Sequence, residues 1–456
     1  MKWFRLLEGV EKGRATTAGR ARTSRKFLPI LAGPAVPALP SICFFDALFV
    51  ALAFAASAMA WSAPAKSTAS DWPRWRGPHG DGQAAHDARV PLKWSATENV
   101  VWRAALPGKG HGSPSISKGR IYLPTADAAN QEQRVLCLDQ ATGKILWNTV
   151  IHRGKLGEYD RNSSPASSTI ACAGERLFIN FLNDESITTT ALDLSGKIIW
   201  QQRVGNFVTI RGYGGSPLVH ESVVLVHADH KGGGKLAGLD AQTGKVVWEH
   251  SRPANQNYSS SVVFQLDGRA QMIVAGCHLV ASFDPLTGKK HWEMEGSTEN
   301  TVTTPVSDGT RVFITGGFPK SHVAAITVSP KPEMAWQSTT GIYVPSLLVK
   351  AGHVYGVVDG GRAVCWNAET GNELWREKAD RDFFASPVMV GNRIYATSLT
   401  GVTSVFEATP EKFTMLAQNT LGDEAYASPA ISGNRIYLRH AVKGEPRQEY
   451  LWCIGN

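Results

Sequence analysis

Asp229 and His230 stand side by side, and a carboxylate next to an imidazole is one start of acid–base chemistry. Such a pair needs a nucleophile or a metal partner, and no spacing in the chain supplies either. No catalytic residue and no metal ligand is therefore assigned. Binding chemistry has more to work with. Arg161, Asn162, Arg211, Tyr213 and Tyr258 fall in neighbouring stretches rich in polar and basic side chains. An Arg fork can grip a carboxylate or sulfate through two parallel N–H bonds, and a Tyr ring can stack on a planar group. With Asp229 and His230 these five form the candidate ligand- or partner-binding set, led by Arg161, Arg211 and Tyr213. The competing reading is a solvated loop face, to which the run Gly232-Gly233-Gly234 would equally belong.

A phrase repeated five times must position these residues. It reads Asp139-Gln-Ala-Thr-Gly-Lys-Ile-Leu-Trp147, Asp193-Leu-Ser-Gly-Lys-Ile-Ile-Trp200 and Asp240-Ala-Gln-Thr-Gly-Lys-Val-Val-Trp248, then returns at Asp284–Trp292 and Asn367–Trp375. Self-similarity at about 40–50 residues marks a repeat architecture. The Asp or Asn closes an Asx-turn, the Gly supplies a left-handed residue, and the Trp leaves on the next strand. A second marker runs in phase. Ser113-Pro114, Ser164-Pro165, Ser216-Pro217, Ser260-Ser261, Thr304-Pro305, Pro345-Ser346, Ser386-Pro387 and Ser428-Pro429 each open an apolar strand, giving eight starts.

Trp102, Trp147, Trp200, Trp248, Trp292, Trp336 and Trp375 mark outer strands, and an eighth place near Leu416 lacks its Trp. These indoles read as blade-docking core. Trp102 precedes the first Ser-Pro, so the strand around Val100–Ala104 must complete the last blade. The expectation is an all-β, eight-bladed propeller of four-stranded blades over residues 98–456, closed by pairing of the two chain ends. The loop-bearing face then carries Ile151–Ser163, Arg203–Gly215, Asp229–Lys235 and Glu249–Ser259, which hold the candidate binding set.

Cys137, Cys365 and Cys453 share one repeat position, filled elsewhere by Ala191, Gly238, Ser282 and Ala325, and so read as small buried residues. With no CxxC and no adjacent pair, neither a zinc site nor a redox motif is indicated. Phe44–Ala60 is an apolar run ending in Ala58-Met59-Ala60, the pattern of a signal peptide over 1–60 cleaved after Ala60. An uncleaved leader is the alternative and the one route to a membrane. Residues 61–70 read as a flexible linker, and 71–97 as a Trp-rich segment that either packs on the propeller or forms a separate docking arm. The expected location is the periplasm or the exterior. The first 60 residues hold eight basic and three acidic side chains, leaving 39 and 36 in the rest. A domain that balanced gives no case for nucleic-acid binding.

The Asp-x-x-Thr-Gly-Lys-x-x-Trp phrases at 139–147, 240–248 and 284–292 resemble the repeat of PQQ-like propellers. That family includes pyrroloquinoline-quinone dehydrogenases and the barrel-assembly lipoprotein BamB. Trp72-Pro-Arg-Trp-Arg-Gly-Pro-His-Gly-Asp-Gly82 resembles the segment preceding the propeller in many secreted bacterial members. For the dehydrogenases the resemblance implies a quinone covered by a disulfide between adjacent cysteines, and calcium held by a Glu/Asn/Asp set. This chain lacks adjacent cysteines and CxxCH, and Cys43 lacks a lipobox. The resemblance thus implies a non-catalytic, monomeric binding or scaffold propeller of the cell envelope, with no cofactor. Its partners would be envelope or extracellular proteins, or a small anionic ligand. The alternative is a PQQ- and calcium-dependent dehydrogenase, or another small-molecule enzyme using the loop-rich face.

Overall fold

The computed structural model describes residues 71–455, apart from Glu158, Arg161 and Ile210. The expected signal peptide and linker lie outside the described residues. Within them, thirty-two strands form eight antiparallel four-stranded sheets, the blades of a propeller. In the first blade the strands are Ser115–Ser117, Arg120–Asp127, Glu132–Asp139 and Ile145–Arg153, from the axis outward. Six more blades follow in order over 171–206, 218–252, 262–295, 306–338, 348–378 and 388–420. The eighth combines Ala430–Ser432, Arg435–Val442 and Gln448–Ile454 with Val100–Leu106 as its outer strand. Trp102 lies opposite Cys453, so the ring closes between the chain ends, as the offset of the two markers predicts.

The repeated phrase builds the seam between blades. Asp139 Oδ1 accepts from the N–H (2.9 Å) and hydroxyl (2.7 Å) of Thr142, which fixes the turn. Gly143 then adopts φ +73°, and its Cα sits under the indole of Trp102 in the preceding blade. A Cβ there would lie 2.5 Å from the ring. Trp102 Nε1 donates to the Gln140 carbonyl (3.2 Å) in the same turn. Trp147, Trp200, Trp248, Trp336 and Trp375 likewise donate to carbonyls of the next blade. Trp292 donates within its own blade instead, to Gln271 (3.0 Å).

Each Trp faces a small residue across the sheet: Cys137, Ala191, Gly238, Ser282, Ala325, Cys365 or Cys453. At Gly238 a Cβ would stand 2.4 Å from Trp248, which shows why the place stays small. The bulge beside each Trp turns the preceding aliphatic, such as Leu146 or Ile199, out to solvent. Replacing Gly143 with Ala is expected to cost at least about 1–2 kcal/mol from backbone strain alone. Urea unfolding checks it, and an unchanged midpoint would contradict the stacking geometry.

A ring of hydroxyls stitches the inner ends of the blades together. Two residues before each inner strand stands Ser113, Thr169, Ser216, Ser260, Thr304, Ser346, Ser386 or Ser428. The N–H of one donates to the side-chain oxygen of the next, at 2.8–3.1 Å, in seven of the eight steps among the described residues. At the eighth, Thr304 Oγ1 accepts from Trp75 Nε1 instead (2.7 Å). Thr169 corrects one expected strand start. Ser164-Pro165 lies in a longer link, where Ser164 Oγ accepts from His111 and Ala166 N–H groups, and the inner strand is Ala171–Ala173.

Residues 71–84 form an axle inside this ring. The inner strands present free backbone edges to the channel, and buried edges need partners. Trp72 supplies them to Ile116 through two hydrogen bonds (2.9 and 2.8 Å), Pro73 accepts from Cys172 N–H, and Gly82 and Ala84 bracket Met389. The chain then runs outward between the seventh and eighth blades, where the Arg89 N–H meets Asn434 Oδ1 and the Trp94 N–H meets Asn419 Oδ1. Trp94 stacks on Tyr395 (6.2 Å between centroids) beside Ala417, which occupies the Trp position of the seventh blade. The missing eighth Trp is thus supplied from the N-terminal segment.

Candidate functional site

Turns joining first to second and third to fourth strands share one face. Links between blades, with the hairpins joining second to third strands, share the other. On that second face the links converge around the axis. Lys109 Nζ donates to Ser163 O (3.1 Å), Arg211 Nη1 stands 4.0 Å from Asp160 Oδ2, and the hydroxyls of Thr209 and Tyr258 meet at 3.3 Å. These contacts join successive links into a mouth.

The ring register aims four aromatic residues at it, Tyr258 before Ser260 and three more that form a cluster. Phe384, Tyr426 and His111 each stand two residues before a ring serine, in the seventh, eighth and first blades. His111 lies flat on Tyr426 at 4.0 Å and 9°, and Phe384 meets Tyr426 edge-on at 5.8 Å. All three are half-buried. Burial, reinforced by Lys109, Arg439 and Arg447, holds the His111 imidazole well below its ordinary pKa, so at neutral pH it acts as an uncharged ring. Burial and Arg447 also lower Lys109, against the pull of Glu424, Glu449 and Asp160. Arg447 closes the rim with Glu424 (2.6 Å) and Glu449 (3.0 Å). The result is an aromatic ledge bordered by fixed charges, suited to an inserted apolar or aromatic group.

The residues expected from sequence divide between this mouth and the interior. Arg161 lies outside the described residues. Asn162 is exposed, its N–H on Asp160 Oδ1 (2.8 Å), and Arg211 is half-buried beside the same carboxylate. Tyr258 is buried up to its hydroxyl, which also donates to Gln256 (3.0 Å). Tyr213 needs correction as a stacking surface: it is buried against Phe207, with its hydroxyl on His227 O (2.8 Å).

Asp229 and His230 are corrected as well. Asp229 turns inward to Arg252 (3.3 Å) and Asn257 (3.2 Å), whereas His230 packs toward Phe207 and accepts from Gly232 N–H. The two side chains of this adjacent pair serve different neighbours. Three loops are also shorter than expected, because outer strands continue to Arg153, Asn206 and Arg252.

Sequence reasoning passed over Phe384, Tyr426 and His111. The available signal was an aromatic two places before Ser-Pro in three blades, of which the first joins the seventh and eighth only on ring closure. Among the described residues no group of three or more His, Cys, Asp or Glu could hold a metal ion. Cys137, Cys172, Cys277, Cys365 and Cys453 are free thiols in different blades. Thiols so separated do not supply the disulfide between adjacent cysteines that covers a quinone.

The family model described as outer membrane protein assembly factor BamB matches residues 84–181, 131–358 and 328–439. The chain is 24% identical over 299 residues to the assembly factor BamB of Nitrosomonas eutropha, a match covering 64% of this chain and 57% of that protein's length. To BamB of Burkholderia pseudomallei it is 22% identical, over 74% of this chain and 84% of that one. Among solved structures, BamB from Moraxella catarrhalis superposes with TM-score 0.55 at 17% identity, over 77% of this chain and 96% of that chain. A europium-containing methanol dehydrogenase gives 0.67 at 11% identity, over 85% and 98%. At such identities the structures share the fold alone.

Proposed function

The chain belongs to the family of outer membrane protein assembly factor BamB, and on that premise we propose that it is a non-catalytic docking propeller of the bacterial cell envelope. The observation that carries the reading is the mouth itself. Its half-buried aromatic ledge, Phe384–Tyr426–His111, has Arg447, Glu424 and Lys109 already held in contacts around it. Such a surface suits an apolar side chain of a protein partner better than it suits bond-making. Relatives named as outer membrane protein assembly factors support protein partners, and the apolar run Phe44–Ala60 supports export to the periplasm.

A photo-crosslinking residue at Phe384 or Asn162, introduced in envelope-producing cells, is expected to trap specific envelope proteins. The same probe at Lys245 on the turn face should trap none of them. Equal trapping from both faces, or dye reduction that requires PQQ and calcium, would overturn the proposal.

A further inference from the structure

Arg76 lies at the core of the axle, 3% exposed, with φ +60°. Its Nη2 donates to the carbonyls of Asp81 and Leu347. The Asp81 carboxylate turns away to the Gln83 N–H (3.0 Å). Among the described residues neither Nε nor Nη1 of Arg76 finds an acceptor. Burial pulls this guanidinium down only to about 10, so it remains a cation at neutral pH. The Asp81 carboxylate acts on this cation through space only, while its hydrogen bonds go to neutral carbonyls; burying it so is costly, and orphaned donors on it add to that cost.

The surroundings meet that demand. Arg76 borders a void with room for one water-sized particle, lined also by Trp72, Trp75 and the ring residues Ser113, Ser386 and Ser428. Each of those hydroxyl oxygens already accepts a backbone N–H of the ring, so its own hydrogen is what remains to offer. The polar part of the lining is therefore guanidinium N–H and hydroxyl O–H, and the rest is indole surface with the apolar Pro387, Val388 and Pro429. Water would bring two hydrogens of its own to this set of donors, whereas a monatomic anion brings none and balances the charge.

We propose that the void is a buried halide site, in which one chloride ion accepts N–H bonds from Arg76 and O–H bonds from Ser113, Ser386 and Ser428. The ion ties the axle to the hydroxyl ring of the first, seventh and eighth blades, the blades at which the ring closes. Gly77 and Gly82 hold the cradle in shape. Both have positive φ, and a Cβ would strike the Trp72 ring at 2.9 Å or Arg76 Nη2 at 2.7 Å.

The test uses the chain spanning residues 61–456. Crystals grown in sodium bromide and measured at the bromine edge should show an anomalous peak within about 3.5 Å of Arg76 Nε or Nη1. In solution, replacing chloride by gluconate at constant ionic strength should lower Tm by about 3 °C, restored saturably by chloride or bromide. Arg76→Met should abolish that response. Should Arg76→Met fail to fold, Ser428→Ala should raise the half-saturating halide concentration about tenfold. No bromine peak on the axis, meaning water in its place, would overturn the proposal. So would a folded Arg76→Met that keeps the full halide response.

Discussion

Replacing Glu449 with Ala is expected to destabilise the propeller by about 3–5 kcal/mol, among the largest effects of any single substitution. Glu449 is buried in the eighth blade and accepts from Arg439 Nε (2.8 Å), Arg447 Nη1 (3.0 Å) and the Gly110 N–H (3.2 Å). Arg439 Nη2 lies 2.7 Å from the same carboxylate, off the hydrogen-bonding direction. Arg439 in turn donates to Pro124 O (2.7 Å) and Gly112 O (3.3 Å) of the first blade. The pair thus locks the seam where the ring closes.

Truncating Glu449 strands a buried guanidinium and leaves Gly110 N–H without its acceptor, and both costs add. A double replacement, Glu449→Leu with Arg439→Met, should recover most of the loss, because it removes both charges. Urea unfolding of the two variants decides the matter. A single variant within about 1 kcal/mol of the parent would show that the pair does not hold the seam.

Trp94→Ala should cost about 3–5 kcal/mol, the range for deleting a buried aromatic side chain. Trp94 is buried against Tyr395, and the Asn419 amide clamps it from both sides, accepting from the Trp94 N–H (2.9 Å) and donating to Leu92 O (3.1 Å). In other blades Tyr122, Phe178, Phe313 and Tyr355 meet a Trp of the outer strand. Tyr395 meets Trp94 instead, and the outer strand of its blade carries Ala417, opposite Val405. Adding Ala417→Trp to the Trp94→Ala variant should therefore restore about half of the lost stability. A further loss in the double variant would mean that Trp94 fills a place of its own.

The repeated Asp-Thr-Gly-Trp phrase makes the blade count, the small residue facing each Trp and the ring closure legible in the amino-acid sequence. The unit is local: an Asx-turn, a left-handed Gly and a period-2 strand are set within about ten residues and then repeated, and closure follows from the offset between the Trp and Ser-Pro series. Ser164-Pro165 shows the limit of that reasoning. It has the local form of a strand start, but membership of the hydroxyl ring depends on Ser113 and Ser216 in neighbouring blades, and those choose Thr169.

Only the tertiary structure could settle Asp229, whose neighbour in sequence is His230 and whose partner in space is Arg252. The mouth is more distant still, since His111 and Tyr426 become neighbours only when the ends of the ring meet. So it is with Trp72–Gly82, where the glycines announce an unusual backbone but not the inner strand edges that it meets. Sequence thus determined the repeating unit, because its causes lie within one turn and two strands. The site, the axle and the closure contacts were decided by the ring, which brings together residues more than 300 positions apart.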